Sequence, residues 1–171
     1  MVDQIRVAQI GCGHWGKNLA RNFAELGVLC AVVDGESETA ARIGAQHDAA
    51  VRSFDEVLAD PAIHGVSLAT PAVTHAAMAM QALAAGKHVF VEKPLALDPE
   101  DGKAVVAAAE AAGRIVMIGH LLQYHPQFIA LKALLSSGEF GSLRYIYSNR
   151  LSLGKFRTEE NVLWSLSLIH I

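Results

Sequence analysis

Short apolar runs alternate with longer amphipathic stretches along most of the chain. Runs rich in β-branched residues predict strands, and apolar residues that recur at helical spacing predict helices. The predicted strands span residues 5–10, 28–33, 66–69, 88–91 and 115–118, with a brief one at Val51. The predicted helices span residues 15–26, 37–46, 53–60, 73–85 and 98–113. This alternation is typical of an α/β fold with a doubly wound parallel sheet and right-handed crossovers.

Capping residues support several of these helix ends. Ser53 and Glu56 have the spacing of a capping box. Asp98 before Pro99 predicts an N-cap followed by a proline at the first helical position, and Gly113 predicts the end of the same helix.

The pattern changes after Gly119. Residues 126–137 have helical periodicity, and residues 143–151 alternate between apolar and polar side chains. That alternation predicts an antiparallel strand with one buried face. We therefore predict a first domain over residues 1–122 and the beginning of a second domain over residues 123–171.

Composition excludes several classes of protein. The chain is 52% hydrophobic and 18% charged, which predicts a folded domain with a sizeable core. Its formal net charge is −3 and it has no basic stripe, so nucleic acid is not an expected partner. No apolar run is long enough for a membrane span and no signal sequence is evident, so we expect a cytoplasmic protein. Cys12 and Cys30 form no metal-binding pattern, and we expect two free thiols and no metal site.

A glycine-rich sequence lies between the first predicted strand and the first predicted helix, and residues 11–16 read G-x-G-x-x-G. Gly11 permits a tight turn, Gly13 lets a pyrophosphate approach the backbone, and Gly16 lets the helix pack close to the strand. Unpaired N–H groups at the helix start then face the phosphate charge. The sequence thus predicts a Rossmann-type domain that binds a dinucleotide.

Asp34 follows the second predicted strand and indicates which dinucleotide is bound. A carboxylate at this position accepts hydrogen bonds from the ribose hydroxyls and repels a 2′-phosphate, which favours NAD over NADP. Arg42 lies farther along the chain and can serve a 2′-phosphate, so NADP stays open as the less favoured cofactor.

Two further segments follow strands at the edge of the sheet where open α/β folds bind ligands. Thr70 and Pro71 follow the fourth predicted strand, and His75 either contributes to the site or is a helix-start histidine without a ligand role. Glu92-Lys93-Pro94 follows the fifth. Lys93 near a nicotinamide can hydrogen-bond the reacting oxygen and assist its proton transfer; the alternative is a surface charge pair.

These motifs together resemble the Gfo/Idh/MocA family of nicotinamide-dependent oxidoreductases, and the Glu-Lys-Pro triplet is the most specific of them. The resemblance implies that Lys93 is catalytic. It also implies cofactor contacts by Gly11, Gly13, His14, Trp15, Gly16, Asp34, Thr70, Pro71, His75, Glu92, Lys93 and Pro94.

A closer resemblance is to the subgroup that oxidises the 3-hydroxyl of UDP-linked N-acetylated sugars or their uronic acids. Residues 13–18, 119–126, 145–150 and 161–165 carry it. It implies a second α/β domain with an open antiparallel sheet that covers the active site and mediates homo-oligomerisation. It also implies substrate contacts by Gln123, Tyr124, Asn149 and Arg150, where an arginine suits diphosphate or carboxylate recognition.

The chain departs from this subgroup near its end. After Trp-Ser the subgroup continues into a Pro-His-Asp segment whose histidine acts in catalysis, whereas residues 166–171 here read LSLIHI. We do not assign His170 as the catalytic base, and we expect the chain to be a fragment of a longer protein. The alternatives are an NAD-binding fragment without turnover and a relative that acts on free sugars or cyclic polyols.

Overall fold

The computed structural model describes residues 5–139, 141–147 and 149. The chain divides into two compact units, one ending at Gly119 and one beginning at His120. The predicted boundary between residues 122 and 123 stays a prediction.

The first unit contains a parallel sheet of six strands. The strands are β1 (Val7–Ile10), β2 (Leu29–Val33), β3 (Ala50–Val51), β4 (Gly65–Leu68), β5 (His88–Val91) and β6 (Val116–Ile118). Their order is β3-β2-β1-β4-β5-β6, and every neighbouring pair is parallel. The predicted doubly wound sheet is confirmed. The order reverses at β1, which opens the crevice where such folds bind dinucleotides.

Five helices make the connections between these strands. They are α1 (Gly16–Glu25), α2 (Ser37–His47), α3 (Phe54–Ala59), α4 (Ala72–Ala84) and α5 (Pro99–Ala112). The capping box of Ser53 and Glu56 is formed, with Ser53 Oγ accepting the Glu56 N–H. Asp98 caps α5 and Gly113 follows it in the left-handed conformation, as predicted.

Buried apolar residues form two clusters, and consecutive residues of β2 belong to different ones. Ala31 lies in the larger cluster with residues of β4, α4 and α5, whereas Val32 lies in the smaller cluster with Ala20 of α1 and Ile43 of α2. Because consecutive side chains of a strand point to opposite faces, helices cover both faces of the sheet. All four residues of β4 are buried, as expected for a strand covered on both faces.

Gly102 offers a test of this helix assignment. It lies inside α5, and an added Cβ would meet only Ala96 Cβ and Leu95 Cδ2, both at 3.9 Å. Gly102→Ala should raise the free energy of unfolding by about 0.5–1 kcal/mol, because glycine loses more backbone entropy in a helix. Gly113→Ala should lower it, because Gly113 has a φ of 60°. Urea denaturation measures both changes; destabilisation by Gly102→Ala would contradict the assignment.

The second unit begins with a 3-10 helix at Leu121–Tyr124, followed by α6 at Pro126–Ser136. The predicted strand over residues 143–151 is wrong for Leu143 to Tyr147, which have no regular secondary structure. A strand requires a hydrogen-bonding neighbour, and no described residue pairs with this segment. Residues 148, 150 and 151 of that prediction lie outside the described residues.

Candidate functional site

The glycine-rich loop connects the end of β1 at Ile10 to the start of α1. Gly11 has a φ of 82°, and a Cβ there would lie 2.6 Å from the Ala69 carbonyl oxygen. A Cβ on Gly16 would overlap the Gly11 carbonyl oxygen. At Gly13 a Cβ would meet nothing within 4 Å. Steric clashes within the protein therefore explain why Gly11 and Gly16 are glycines. At Gly13 no protein atom would clash with a Cβ, so the space beside its backbone is open to a ligand.

The loop presents hydrogen-bond donors at the positive end of α1. Within the described part of the chain, the backbone N–H groups of Gly13, His14 and Trp15 donate to no acceptor. The first turn of α1 contains no acidic residue. His14 and Trp15 are exposed. Free N–H groups at a helix start with no competing carboxylate fit a bound diphosphate.

The side chain of Gln9 hydrogen-bonds the glycine-rich loop, a role that the sequence pattern did not predict. Its side chain is fully buried, and Nε2 donates to the Gly11 carbonyl oxygen at 2.8 Å and to that of Ile10 at 3.2 Å. An amide in an otherwise apolar strand was the available signal, since buried polar groups require partners.

Asp34 lies at the end of β2 and hydrogen-bonds the glycine-rich loop directly. Its Oδ2 accepts the Cys12 N–H at 2.6 Å, and its Oδ1 accepts the Glu36 N–H at 2.9 Å. Each carboxylate oxygen has a second acceptor position, so the side chain can still accept from ribose hydroxyls. The structure thus brings Asp34 and the loop together, as predicted.

Cys12 and Cys30 are both free thiols, as predicted. Burial and the nearby Asp34 carboxylate raise the pKa of Cys12 to about 11, although Arg42 lowers it. A thiol with so high a pKa is protonated near neutral pH and is a poor nucleophile. Cys12 is therefore part of the packing beneath the loop.

His75 is buried in α4 and makes two hydrogen bonds to backbone carbonyl groups. Its Nδ1 lies 2.7 Å from the Pro94 oxygen and its Nε2 lies 2.8 Å from the Thr70 oxygen. The Thr70 hydroxyl lies 2.7 Å from that of Thr74, a residue that the sequence analysis missed. Both ring nitrogens thus have protein partners, and only 1% of the side chain is exposed.

Glu92-Lys93-Pro94 forms a turn directly after β5. The Lys93–Pro94 peptide bond is cis. The Trp15 indole Nε1–H donates to Glu92 Oε1 at 2.6 Å, and the Lys93 N–H donates to Oε2 at 3.3 Å. Gly119, at the end of β6, lies against the same carboxylate, since a Cβ there would be 2.9 Å from Oε1. The turn with Lys93 is therefore bonded to the glycine-rich loop.

Burial raises the pKa of Glu92 above its ordinary value, and the hydrogen bond from Trp15 partly opposes that shift. A raised folded-state pKa favours the protonated acid. Its contribution to stability is present below the unfolded pKa and is lost as pH rises through the folded pKa.

Trp15→Phe should therefore raise the pKa of Glu92 further and move the pH-dependent loss of stability to higher pH. Urea denaturation followed by circular dichroism, repeated from acidic to neutral pH, measures the shift. In a Glu92→Gln background the Trp15 substitution should leave the shape of the pH profile unchanged. Identical plots of unfolding free energy against pH for the wild type and Trp15→Phe would contradict the hydrogen bond between Trp15 and Glu92.

The other predicted site residues that the structure describes are exposed. Pro71 is the exposed N-cap of α4. Gln123 and Tyr124 are exposed in the 3-10 helix of the second unit, and Asn149 is exposed outside regular structure. Arg150 lies outside the described residues. The structure brings the predicted cofactor residues that follow β1, β2, β4 and β5 to one edge of the first unit, and their contacts with a cofactor stay predictions, as do the substrate contacts.

Comparison with known proteins identifies this arrangement. The profile described as "Oxidoreductase family, NAD-binding Rossmann fold" matches residues 5–120. The chain belongs to the Gfo/Idh/MocA oxidoreductase family. Its first unit is the NAD-binding Rossmann domain of that family, which confirms the predicted family, fold class and type of cofactor.

Several relatives cover most of this chain. A UDP-N-acetylglucosamine 3-dehydrogenase from Acidithiobacillus ferrooxidans is 36% identical over 90% of this chain and 48% of its own length. A scyllo-inositol 2-dehydrogenase (NAD(+)) from Bacillus subtilis is 32% identical over 85% of this chain and 44% of its own. The structure of a 3-ketoreductase from Actinomadura kijaniata in complex with NADP superposes with a TM-score of 0.72, at 28% identity, over 80% of this chain and 45% of its own. The chain spans less than half the length of these relatives.

None of the helices in the described part of the chain is long and apolar enough to cross a membrane. In the same part of the chain, no group of histidine, cysteine and acidic residues is arranged to hold a metal ion.

Proposed function

We propose that this chain carries the cofactor domain of an NAD-dependent dehydrogenase that oxidises a ring hydroxyl, at C3, of a UDP-linked N-acetylated sugar or uronic acid. The observation that carries the proposal is the hydrogen bond between Trp15 and Glu92, which holds the Lys93 turn beside the glycine-rich loop. The similarity to a UDP-N-acetylglucosamine 3-dehydrogenase supports the substrate class.

Some residues of the chain would bind the cofactor, and Lys93 would assist proton transfer. A bound NAD would supply the hydride acceptor, and the substrate hydroxyl group would lose its proton as its carbon is oxidised. The loop N–H groups would hold the diphosphate and Asp34 the adenosine ribose. Lys93 would hydrogen-bond the oxygen and assist the departure of its proton. No residue of this chain is assigned as the base, and His170 lies outside the described residues.

NAD is the proposed cofactor in preference to NADP. Asp34 would place a carboxylate against the adenosine ribose, where a 2′-phosphate adds negative charge. The relative from A. kijaniata binds NADP, so the family is compatible with both cofactors. Arg42 is exposed on α2 and would be available to a 2′-phosphate.

The wider proposals concern the second unit and the whole protein. Residues 123–171 would begin a substrate and oligomerisation domain with an open antiparallel sheet, with Gln123, Tyr124, Asn149 and Arg150 as substrate contacts. We propose a homo-oligomer in the cytoplasm, where free thiols such as Cys12 and Cys30 persist, and no nucleic-acid partner.

A second candidate is a dehydrogenase of cyclic polyols. The similarity to scyllo-inositol 2-dehydrogenase favours it, because that relative also covers most of this chain. A third candidate is a cofactor-binding fragment without turnover. It is supported by the coverage, because the chain spans only 48% of the length of the UDP-N-acetylglucosamine 3-dehydrogenase that it matches.

A substrate panel tests these candidates. The whole protein is incubated with NAD and either UDP-N-acetylglucosamine, its uronic acid or scyllo-inositol, and NADH absorbance is followed. We expect turnover of a UDP sugar that Lys93→Met abolishes while NADH binding persists. Turnover of scyllo-inositol alone would favour the polyol candidate, and binding without any turnover would favour the third.

A further inference from the structure

The bonds of His75 connect two chain segments that are distant in sequence. Thr70 follows β4 and Pro94 follows β5, and the ring lies within hydrogen-bond distance of the carbonyl oxygen of each. These strands are neighbours in the sheet, with Leu68 paired to Val91. The imidazole therefore spans the gap between the two segments just beyond their strand ends.

Both partners of the ring can only accept hydrogen bonds. A neutral imidazole has one N–H donor, so both bonds form together only when both nitrogens carry hydrogen.

The two segments lie on one side of the topological reversal. Asp34 follows β2, on the opposite side of β1 from β4 and β5. Because a dinucleotide binds across this crevice, the Asp34 side holds the adenosine half and the β4–β5 side faces the nicotinamide half. Thr70 and Lys93 therefore belong to the half of the site where hydride transfer takes place.

We propose that His75 is a positioning residue for the nicotinamide half of the site, which sets the spacing between the Thr70 segment and the Lys93 turn. It acts through backbone carbonyl groups and does not itself contact the cofactor, because its ring is buried and both nitrogens are used. The inference rests on the proposed function, since it assumes that NAD occupies this crevice.

A comparison of two ligands separates positioning from a general effect on folding. ADP contains the adenosine and diphosphate but lacks the nicotinamide and its ribose, so it reports on the glycine-rich loop and Asp34 alone. In His75→Phe both hydrogen bonds are lost, and we expect the Kd of NADH to rise at least about tenfold, while that of ADP changes by less than about twofold. Calorimetry on the 171-residue chain measures both constants.

Conservative variants distinguish the two bonds and guard against misfolding of His75→Phe. Asparagine places an amide N–H near the position of Nδ1, and glutamine places one near that of Nε2. His75→Asn should keep the Pro94 bond, His75→Gln the Thr70 bond, and each should restore part of the NADH affinity. His64→Phe is the matched control, because its Nδ1 accepts the Arg6 N–H at 3.0 Å, before β1 and away from the site.

The outcomes separate the two hypotheses. If NADH and ADP affinities fall by the same factor in all folded His75 variants, the ring has only a structural role and the inference fails. Unchanged NADH affinity in His75→Phe, with thermal unfolding like the wild type, would also overturn it. If the wild type binds neither ligand, the proposed function fails instead.

Discussion

Gly16→Ala should abolish NADH binding and lower the free energy of unfolding by about 3 kcal/mol. The added Cβ would overlap the Gly11 carbonyl oxygen, which is backbone and cannot turn away as a side chain can. Relief requires α1 to move from the end of β1, and that movement takes the loop N–H groups away from the diphosphate. The intrinsic preference of a helix for alanine, about 0.5–1 kcal/mol, is too small to offset the clash.

Gly13→Ala provides the matched comparison within the same loop. A Cβ there meets no atom within 4 Å, so the free energy of unfolding should stay within about 0.5 kcal/mol of the wild type. NADH affinity should nevertheless fall, because the methyl group would enter the space proposed for the diphosphate. Urea denaturation and NADH fluorescence titration give the two quantities. Equal destabilisation by both substitutions would refute the steric explanation.

The second large effect is expected at Asp34. Asp34→Asn should raise the Kd of NADH about ten- to hundredfold, because hydrogen bonds to an ionised group are about twice as strong as neutral ones. It should also narrow the preference for NADH over NADPH, since the charge that repels the 2′-phosphate is removed. The amide has one oxygen for the two N–H groups of Cys12 and Glu36, so a modest loss of stability should accompany the change.

Glu36→Gln is the control for Asp34→Asn. It removes one negative charge two residues away, while its backbone N–H still donates to Asp34. The ratio of the NADH and NADPH constants should then change by less than about twofold, because the charge of an exposed side chain is screened. If Glu36→Gln alters the ratio of the NADH and NADPH constants as much as Asp34→Asn does, the preference for NADH comes from the summed negative charge of the region and not from a direct contact with Asp34.

The features that the sequence predicted are local ones. The G-x-G-x-x-G spacing predicted the roles of Gly11 and Gly16 from local geometry, because Gly11 has a φ of 82° in the tight turn and a Cβ on Gly16 would overlap the carbonyl oxygen of Gly11. The capping box at Ser53 and the N-cap at Asp98 also depend on neighbours within three residues. Alternation of strand and helix then restricted the sheet to a doubly wound topology.

The features that the sequence did not predict depend on distant residues. Trp15 and Glu92 are 77 residues apart, and nothing in either local pattern indicates that the indole donates to the carboxylate. His75 was predicted to contact the cofactor, yet its ring is enclosed by protein. The strand predicted over residues 143–151 had the right alternation for a half-buried strand, but pairing decides whether a strand forms, and no described residue pairs with it.

Isothermal titration calorimetry of the 171-residue chain with NADH tests the central claim most directly. We expect one NADH bound per chain, weaker binding of NADPH, and loss of NADH binding in Gly16→Ala. Absence of heat with NADH, for wild-type protein whose circular dichroism and cooperative unfolding establish that it is folded, would contradict the dinucleotide site and the catalytic proposal that depends on it.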